Sequence, residues 1–138
     1  MKVAIMQPYF MPFYSYFELI ASVDVMVILD DVNFITRGYI HRNYIPDMSG
    51  VKRRFGLQIE AASQNKKINQ LRVKSLDLNQ AEMLLRNYRE TRSHMILSDA
   101  VRAFEPNCNL AEYVTHTINV VCKYTAINTK IQAEVSSL

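Results

Sequence analysis

Four short segments hold the side chains with reactive or ligand-binding potential. The first is Met6-Gln7-Pro8-Tyr9-Phe10-Met11-Pro12-Phe13-Tyr14-Ser15-Tyr16-Phe17. An apolar run exits into two prolines, which make a stiff turn, and the helix start behind it offers backbone N–H groups to an anion or a carbonyl. The Gln7 amide both donates and accepts hydrogen bonds, and Pro8 and Tyr9 shape the turn. The second segment is Asp30-Asp31-Val32-Asn33-Phe34. Paired carboxylates at a strand end can hold a metal, bind a sugar hydroxyl or act as a base. Neighbours on extended chain point to opposite faces, so Asp30 and Asp31 are expected to play different parts. One helix cap or one ion pair would explain them as well.

Arg37-Gly38-Tyr39-Ile40-His41-Arg42-Asn43 is the third segment. On a strand, Arg37, Tyr39, His41 and Asn43 share one face and Arg42 takes the other. Arg, His and Asn together suit a phosphate or carboxylate, and His41 is a candidate general base because an unperturbed imidazole titrates near neutrality. The fourth is the polar, basic stretch Ser63-Gln64-Asn65-Lys66-Lys67-Ile68, where Asn65 and Lys66 could close over an anionic ligand or simply face water.

Elements that would position these groups follow from periodicity. Val3–Met6 reads as a buried strand, Phe13–Ser22 as a helix with Phe13, Phe17 and Ile20 on one face, and Val25–Leu29 as a strand buried on both faces. Strand, helix and strand form a βαβ unit, so both strands run the same way and Gln7-Pro8 emerges at the same sheet edge as Asp30-Asp31. Open α/β sheets bind ligands at that edge. Tyr39–Pro46 and Lys52–Ile59 are expected to pair as an antiparallel hairpin around the turn Asp47-Met48-Ser49-Gly50. Ile68, Leu71 and Val73 suggest a further short strand. The second half reads as helical, with capping signals at Asn79/Glu82 and Asn109/Glu112, a break near Ser93, and a returning strand over Ile127–Val135. The expected fold is therefore α/β over residues 1–138 as a single domain: a βαβ opening with a mainly parallel sheet, an inserted basic β-hairpin and a helical second half.

Composition bounds the rest. The chain has 138 residues, is 49% hydrophobic and carries +3, which fits a folded core. Charge is uneven. Between Arg37 and Lys74 nine basic residues face Asp47 and Glu60, leaving +7 there and −4 elsewhere. Such a block attracts phosphates. An anionic small molecule is the expected partner on this ground, and a solvated basic face would explain the block as well. No recognised nucleic-acid motif supports a nucleic-acid partner. No apolar stretch is long enough for a membrane span, and the run Met1–Met6 is cut short by Gln7 and Pro8, so the expected location is cytoplasmic. Cys108 and Cys122 lack a zinc spacing and are expected to be reduced thiols, with no metal site. Dinucleotide, P-loop, zincin and nucleophile-elbow signatures are all absent, and no cofactor is named by the sequence.

In order and spacing, the first three segments resemble the WbqC-like family. Its opening has an apolar strand, His or Met, Gln-Pro, an aromatic, a proline and a Gly-Tyr-Phe that begins the helix, matched here by Met6 to Phe17. Its Asp-Asp-Val-x-Phe is matched by Asp30 to Phe34, and its aromatic, Arg-Asn and apolar residue by Tyr39, Arg42, Asn43 and Ile45. Ser63-Gln64-Asn65-Lys66 is also similar to a family segment. Ser15 stands where the family usually has Gly, and Met6 where many members have His. Family members are usually longer, so the resemblance corresponds to the amino-terminal part of a longer WbqC-like protein. The resemblance implies a role in surface-polysaccharide (O-antigen type) biosynthesis, with transfer of glycine or a similar acyl group to a nucleotide-linked amino sugar, so that the anionic partner would be a nucleotide sugar. The alternative is a non-catalytic binding or assembly module of the same pathway, in which the aromatic segment 9–17 forms an interface, as in a homo-oligomer.

Overall fold

The computed structural model describes residues 1–133. Its first three elements are β1 (Val3–Met6), α1 (Tyr14–Ala21) and β2 (Val25–Ile28). β1 and β2 pair in parallel, with Val3 opposite Val25 and Met6 opposite Ile28. The Leu29 N–H extends the ladder to the Met6 carbonyl at 2.8 Å. β6 (Lys130–Gln132) pairs in parallel with the other side of β2, so the first sheet has the order β1-β2-β6. The strand expected over Ile127–Val135 is thus shorter, and Val135 lies outside the described residues. All four residues of β2 are buried, as a central strand between two neighbours requires.

A second sheet is antiparallel, with order β3-β4-β5, formed by β3 (Arg42–Pro46), β4 (Lys52–Glu60) and β5 (Arg72–Leu76). Phe55 and Leu57 of β4 point into the core, while Lys52 and Arg54 face out. β3 begins three residues later than the alternation of Tyr39 and His41 suggests. Residues 36–41 form a turn, in which the Gly38 N–H reaches the Ile35 carbonyl at 3.3 Å. Arg37, Tyr39, His41 and Asn43 therefore do not share one strand face.

α2 (Leu78–Asn87), α3 (Arg92–Arg102) and α4 (Leu110–Tyr124) fill most of the second half. Asn109 caps α4, as its spacing to Glu112 suggests, by accepting from the Glu112 N–H at 3.2 Å. α2 corrects the sequence reading: its cap is Asp77, which accepts from the Gln80 N–H at 3.1 Å, and Asn79 sits inside the helix. Asp77 directly precedes the helix and so reaches the N3 amide of Gln80, whereas Asn79 already lies in the first turn. α2 and α3 are separated over Tyr88–Thr91, where Glu90 has φ 65°, rather than at Ser93.

One core joins the two sheets and α4. It contains Phe10, Met26, Ile28, Phe34, Phe55, Leu57, Leu110 and Ile118, all buried. Cys108 and Cys122 are free thiols, and Cys122 is buried. Among the described residues, no helix is long and apolar enough to cross a membrane.

Gly56 of β4 packs closely against Arg42 and His41. A Cβ there would lie 2.8 Å from the Arg42 Cβ and 2.9 Å from the His41 carbonyl oxygen. Gly56→Ala is expected to lower the urea midpoint by an amount corresponding to about 1–3 kcal/mol, because the obstruction includes backbone.

Candidate functional site

Parallel pairing of β1 and β2 brings their carboxyl ends to one edge, on strands about 4.8 Å apart. Gln7-Pro8 leaves β1 there, and Asp30-Asp31 leaves β2 beside it. The groups on this edge are held from several sides.

The Gln7 corner is locked by Tyr16 of α1. Its hydroxyl donates to the Gln7 carbonyl at 2.8 Å. Burial pushes this phenol well above its ordinary range, and neighbouring Tyr9 and then Cys122 push the same way, so Tyr16 stays a proton donor. Pro8 is buried and Tyr9 half-buried, with the Tyr9 ring 5.7 Å from Tyr16 and 6.3 Å from Tyr39. A groove of about 280 Å³ opens on the helix side of this corner, lined by Met6, Tyr9, Pro12, Phe13, Tyr16 and Leu19 among others.

Asn43 clamps the rest of the turn. It is 1% exposed. Its Nδ2 donates to the Met11 carbonyl at 2.6 Å and the Phe10 carbonyl at 3.4 Å, and its Oδ1 accepts from the Tyr44 N–H at 2.8 Å. The Phe10 N–H donates to the Tyr39 carbonyl at 3.0 Å. Met11 needs this support, because it holds φ 46°, a conformation unfavourable for a side chain of its size. Asn43 is thus spent on the turn rather than turned toward solvent.

At the second corner Asp30 is half-buried and Asp31 exposed. Asn69 bridges to Asp30 twice: its N–H donates to the Asp30 carbonyl at 3.0 Å, and its side-chain amide to Oδ1 at 3.4 Å. The Asn69 carbonyl in turn accepts from the Asn109 side chain at 2.8 Å, which ties the corner to the start of α4. Sequence reasoning missed Asn69, since a single asparagine in a polar stretch carries no periodic signal.

The basic loop is stitched to the same edge. Asn33 and Lys67 form an antiparallel bridge, the Phe34 N–H donates to the Lys66 carbonyl at 2.9 Å, and the Ile68 N–H donates to the Val32 carbonyl at 3.0 Å. The Gln64 side chain reaches the Thr36 hydroxyl at 3.0 Å. Asn33, Asn65 and Lys66 are exposed. Arg37 is exposed as well, and Arg42 is half-buried, with its Nε donating to the Gly38 carbonyl at 3.3 Å. Residues 30–34, 36–42 and 63–69 are therefore neighbours on one side of the molecule.

His41 departs from the general-base expectation in its acidity. Burial pushes its pKa down to about 4, and the nearby Arg42 and Arg54 add to the shift. Its Nδ1 is buried without a hydrogen-bond partner, and its ring packs against Phe34 at 5.1 Å between centroids. At neutral pH it is an uncharged imidazole and a weak base.

The chain matches the WbqC-like protein family over residues 7–137. It belongs to that family. It is also similar to Rv1507c of Mycobacterium tuberculosis, described as an uncharacterized protein, with 28% identity over 136 residues that cover 94% of this chain and 58% of the relative. This WbqC-like chain thus spans well under two thirds of that relative's length. No solved structure matches it. Among the described residues no group of His, Cys, Asp and Glu is arranged to hold a metal ion.

Two outcomes test this geometry. Asn43→Ala leaves buried carbonyls of Phe10 and Met11 without a donor, so a loss of about 1–3 kcal/mol in chemical unfolding is expected. His41 binds a proton in the unfolded chain at about pH 6.5 but in the folded chain only near pH 4. Unfolding therefore takes up a proton between those values, and stability falls as pH drops through that window. His41→Gln is expected to flatten this acid limb by about 1–2 kcal/mol, below the full linkage value because the ring is only partly shielded from water. Paired urea titrations at pH 7 and pH 4.5 read the difference.

Proposed function

We propose that this WbqC-like chain takes part in transfer of an acyl or aminoacyl group, such as glycine, to a nucleotide-linked amino sugar during surface-polysaccharide biosynthesis. The observation that supports the reading is the parallel β1–β2 pair, which brings the Gln7 and Asp30-Asp31 corners to one sheet edge, with the Asn33–Lys67 bridge holding the basic loop beside them. Ligand binding at the carboxyl ends of parallel strands is the general rule for such sheets.

The chemistry divides among the residues as follows. An amine attacking the carbonyl of an activated ester or thioester donor forms the C–N bond, loses a proton and needs the developing oxyanion stabilised; the tetrahedral adduct then collapses by breaking the bond to the alcohol or thiol, which leaves carrying that proton. Asp31, exposed beside the corner, accepts the proton, and Asp30, anchored by Asn69, orients the acceptor. The Gln7 side-chain amide donates to the carbonyl oxygen. Arg37, Arg42 and Lys66 bind the diphosphate through charge-assisted bonds. Asn33 and Asn65 meet sugar hydroxyls, and Tyr9 and Tyr39 flank the ligand. Pro8 and Asn43 act as positioning residues that keep the corner rigid. His41 stays neutral, which suits a hydrogen-bonding role better than that of a base.

A second reading is favoured by one observation. Phe13 and Tyr14 are 58% and 77% exposed beside the apolar groove at the corner, as a non-catalytic assembly module would present them. Solution mass against concentration separates the two: a monomer throughout would count against assembly.

Calorimetric titration with nucleoside diphosphate amino sugars tests the first reading. Heat of binding is expected, with about tenfold weaker affinity for Arg42→Ala through loss of a charge-assisted bond. Absence of heat at millimolar ligand, or an Arg42→Ala protein that binds like the parent, would contradict it.

A further inference from the structure

The β3–β4 hairpin has a tip that neither the core nor the candidate site uses. Its last tie to the body is at Pro46, whose carbonyl accepts from the Tyr88 hydroxyl at 2.6 Å. Beyond it the turn is highly ordered. Asp47 accepts from the Ser49 N–H at 2.9 Å, the Ser49 hydroxyl at 2.6 Å and the Val51 N–H at 3.0 Å, and its other oxygen takes the Arg53 guanidinium at 3.0 Å.

Large apolar side chains nevertheless face water on and beside this turn. Met48 is 74%, Val51 50% and Tyr44 46% exposed. Three consecutive cations, Lys52, Arg53 and Arg54, follow them and are exposed too. Arg53 neutralises Asp47, the one carboxylate of the turn. Lys52 and Arg54 alternate onto the other face of β4, where Tyr44 is the cross-strand partner of Arg54. Together with Gln58 and Ser75, these three line an open, polar groove.

We infer that this hairpin tip is a docking surface for an anionic lipid bilayer, with Met48 and Val51 entering the interfacial layer and Lys52 and Arg54 meeting lipid phosphates. Charge complementarity selects the occupant. Juxtamembrane cations gain attraction from an anionic leaflet, and apolar insertion alone is a marginal anchor, so stable adhesion combines both signals. Tyr44, apolar in its ring and polar at its hydroxyl, suits the depth between them. A turn already ordered by Asp47 gives up little conformational freedom on contact. A nucleic acid would use the cations and Tyr44 but has no use for Met48 and Val51.

Co-sedimentation of the whole chain with vesicles is the test. Binding is expected to vesicles of phosphatidylcholine with 30% phosphatidylglycerol, and not to phosphatidylcholine alone. Lys52→Glu with Arg54→Glu should weaken it about 30-fold or more. Met48→Ser with Val51→Ser should weaken it about tenfold at unchanged net charge. These positions are exposed, and an unchanged melting temperature confirms that the variants fold. Three results would overturn the inference. One is no binding to the anionic vesicles. Another is equal binding by the Met48/Val51 variant, which reduces the surface to bulk charge. The third is tight, Lys52- and Arg54-dependent binding of a thymidine oligonucleotide without vesicle binding. None of these results bears on the nucleotide-sugar titration, which reads the opposite end of β3.

Discussion

The structure depends most on the hydrogen bonds that fix the backbone where β1 ends. A chain leaving a parallel strand through two prolines has few amides to satisfy its own carbonyls. Here the Gln7 carbonyl is met by Tyr16 of α1, and the Phe10 and Met11 carbonyls by Asn43 of β3. The Tyr39 carbonyl accepts from the Phe10 N–H. The turn is thus held by the helix that follows it and by the second sheet. Its unfavourable Met11 geometry persists because the surroundings over-determine it. That same set of bonds joins the parallel and antiparallel sheets through Phe10, which packs on Phe55 at 5.2 Å between ring centroids.

Around this fixed corner, the other groups are arranged by backbone pairing, with the Asn69 and Gln64 side chains adding to it. The bridge from Asn33 to Lys67 carries a cationic loop to the carboxyl end of β2, and Asn69 holds Asp30 from the same loop. Backbone ties of this kind place residues to within a strand spacing while leaving the tips of Asn33, Asn65 and Lys66 in water. The low basicity of His41 has a local cause: partial burial, and then the two arginines beside it, make a third positive charge costly there.

Much of the fold was legible because its periodicities are unambiguous. An apolar run such as Val25–Leu29, following an amphipathic helix, can belong to little but a parallel strand, and Phe55-Gly56-Leu57 alternates cleanly. The misreadings have local causes. Residues 37–43 alternate in type as a strand would, yet Gly38 closes a turn onto the Ile35 carbonyl, and the long-range tie of Tyr39 to Phe10 and the burial of Ile40 support it. Two residues of capping type, Asp77 and Asn79, stand two positions apart where α2 begins, and sequence cannot rank one over the other without the φ/ψ path. In the site, the proximity of Gln7 to Asp30-Asp31 was legible from the βαβ unit alone. The inward commitment of Asn43 and the hold of Asn69 on Asp30 were not, since both depend on which long-range carbonyls lack partners.

The most direct measurement of the central claim is a two-dimensional amide NMR titration of the chain with a nucleoside diphosphate amino sugar. Shared use of one sheet edge predicts that the Gln7 side-chain amide, the Asp31 and Asn33 backbone amides and those of Lys66 and Asn69 shift together along a single binding curve. Shifts confined to one of those corners, or to Lys52–Arg54 on the hairpin, would contradict it.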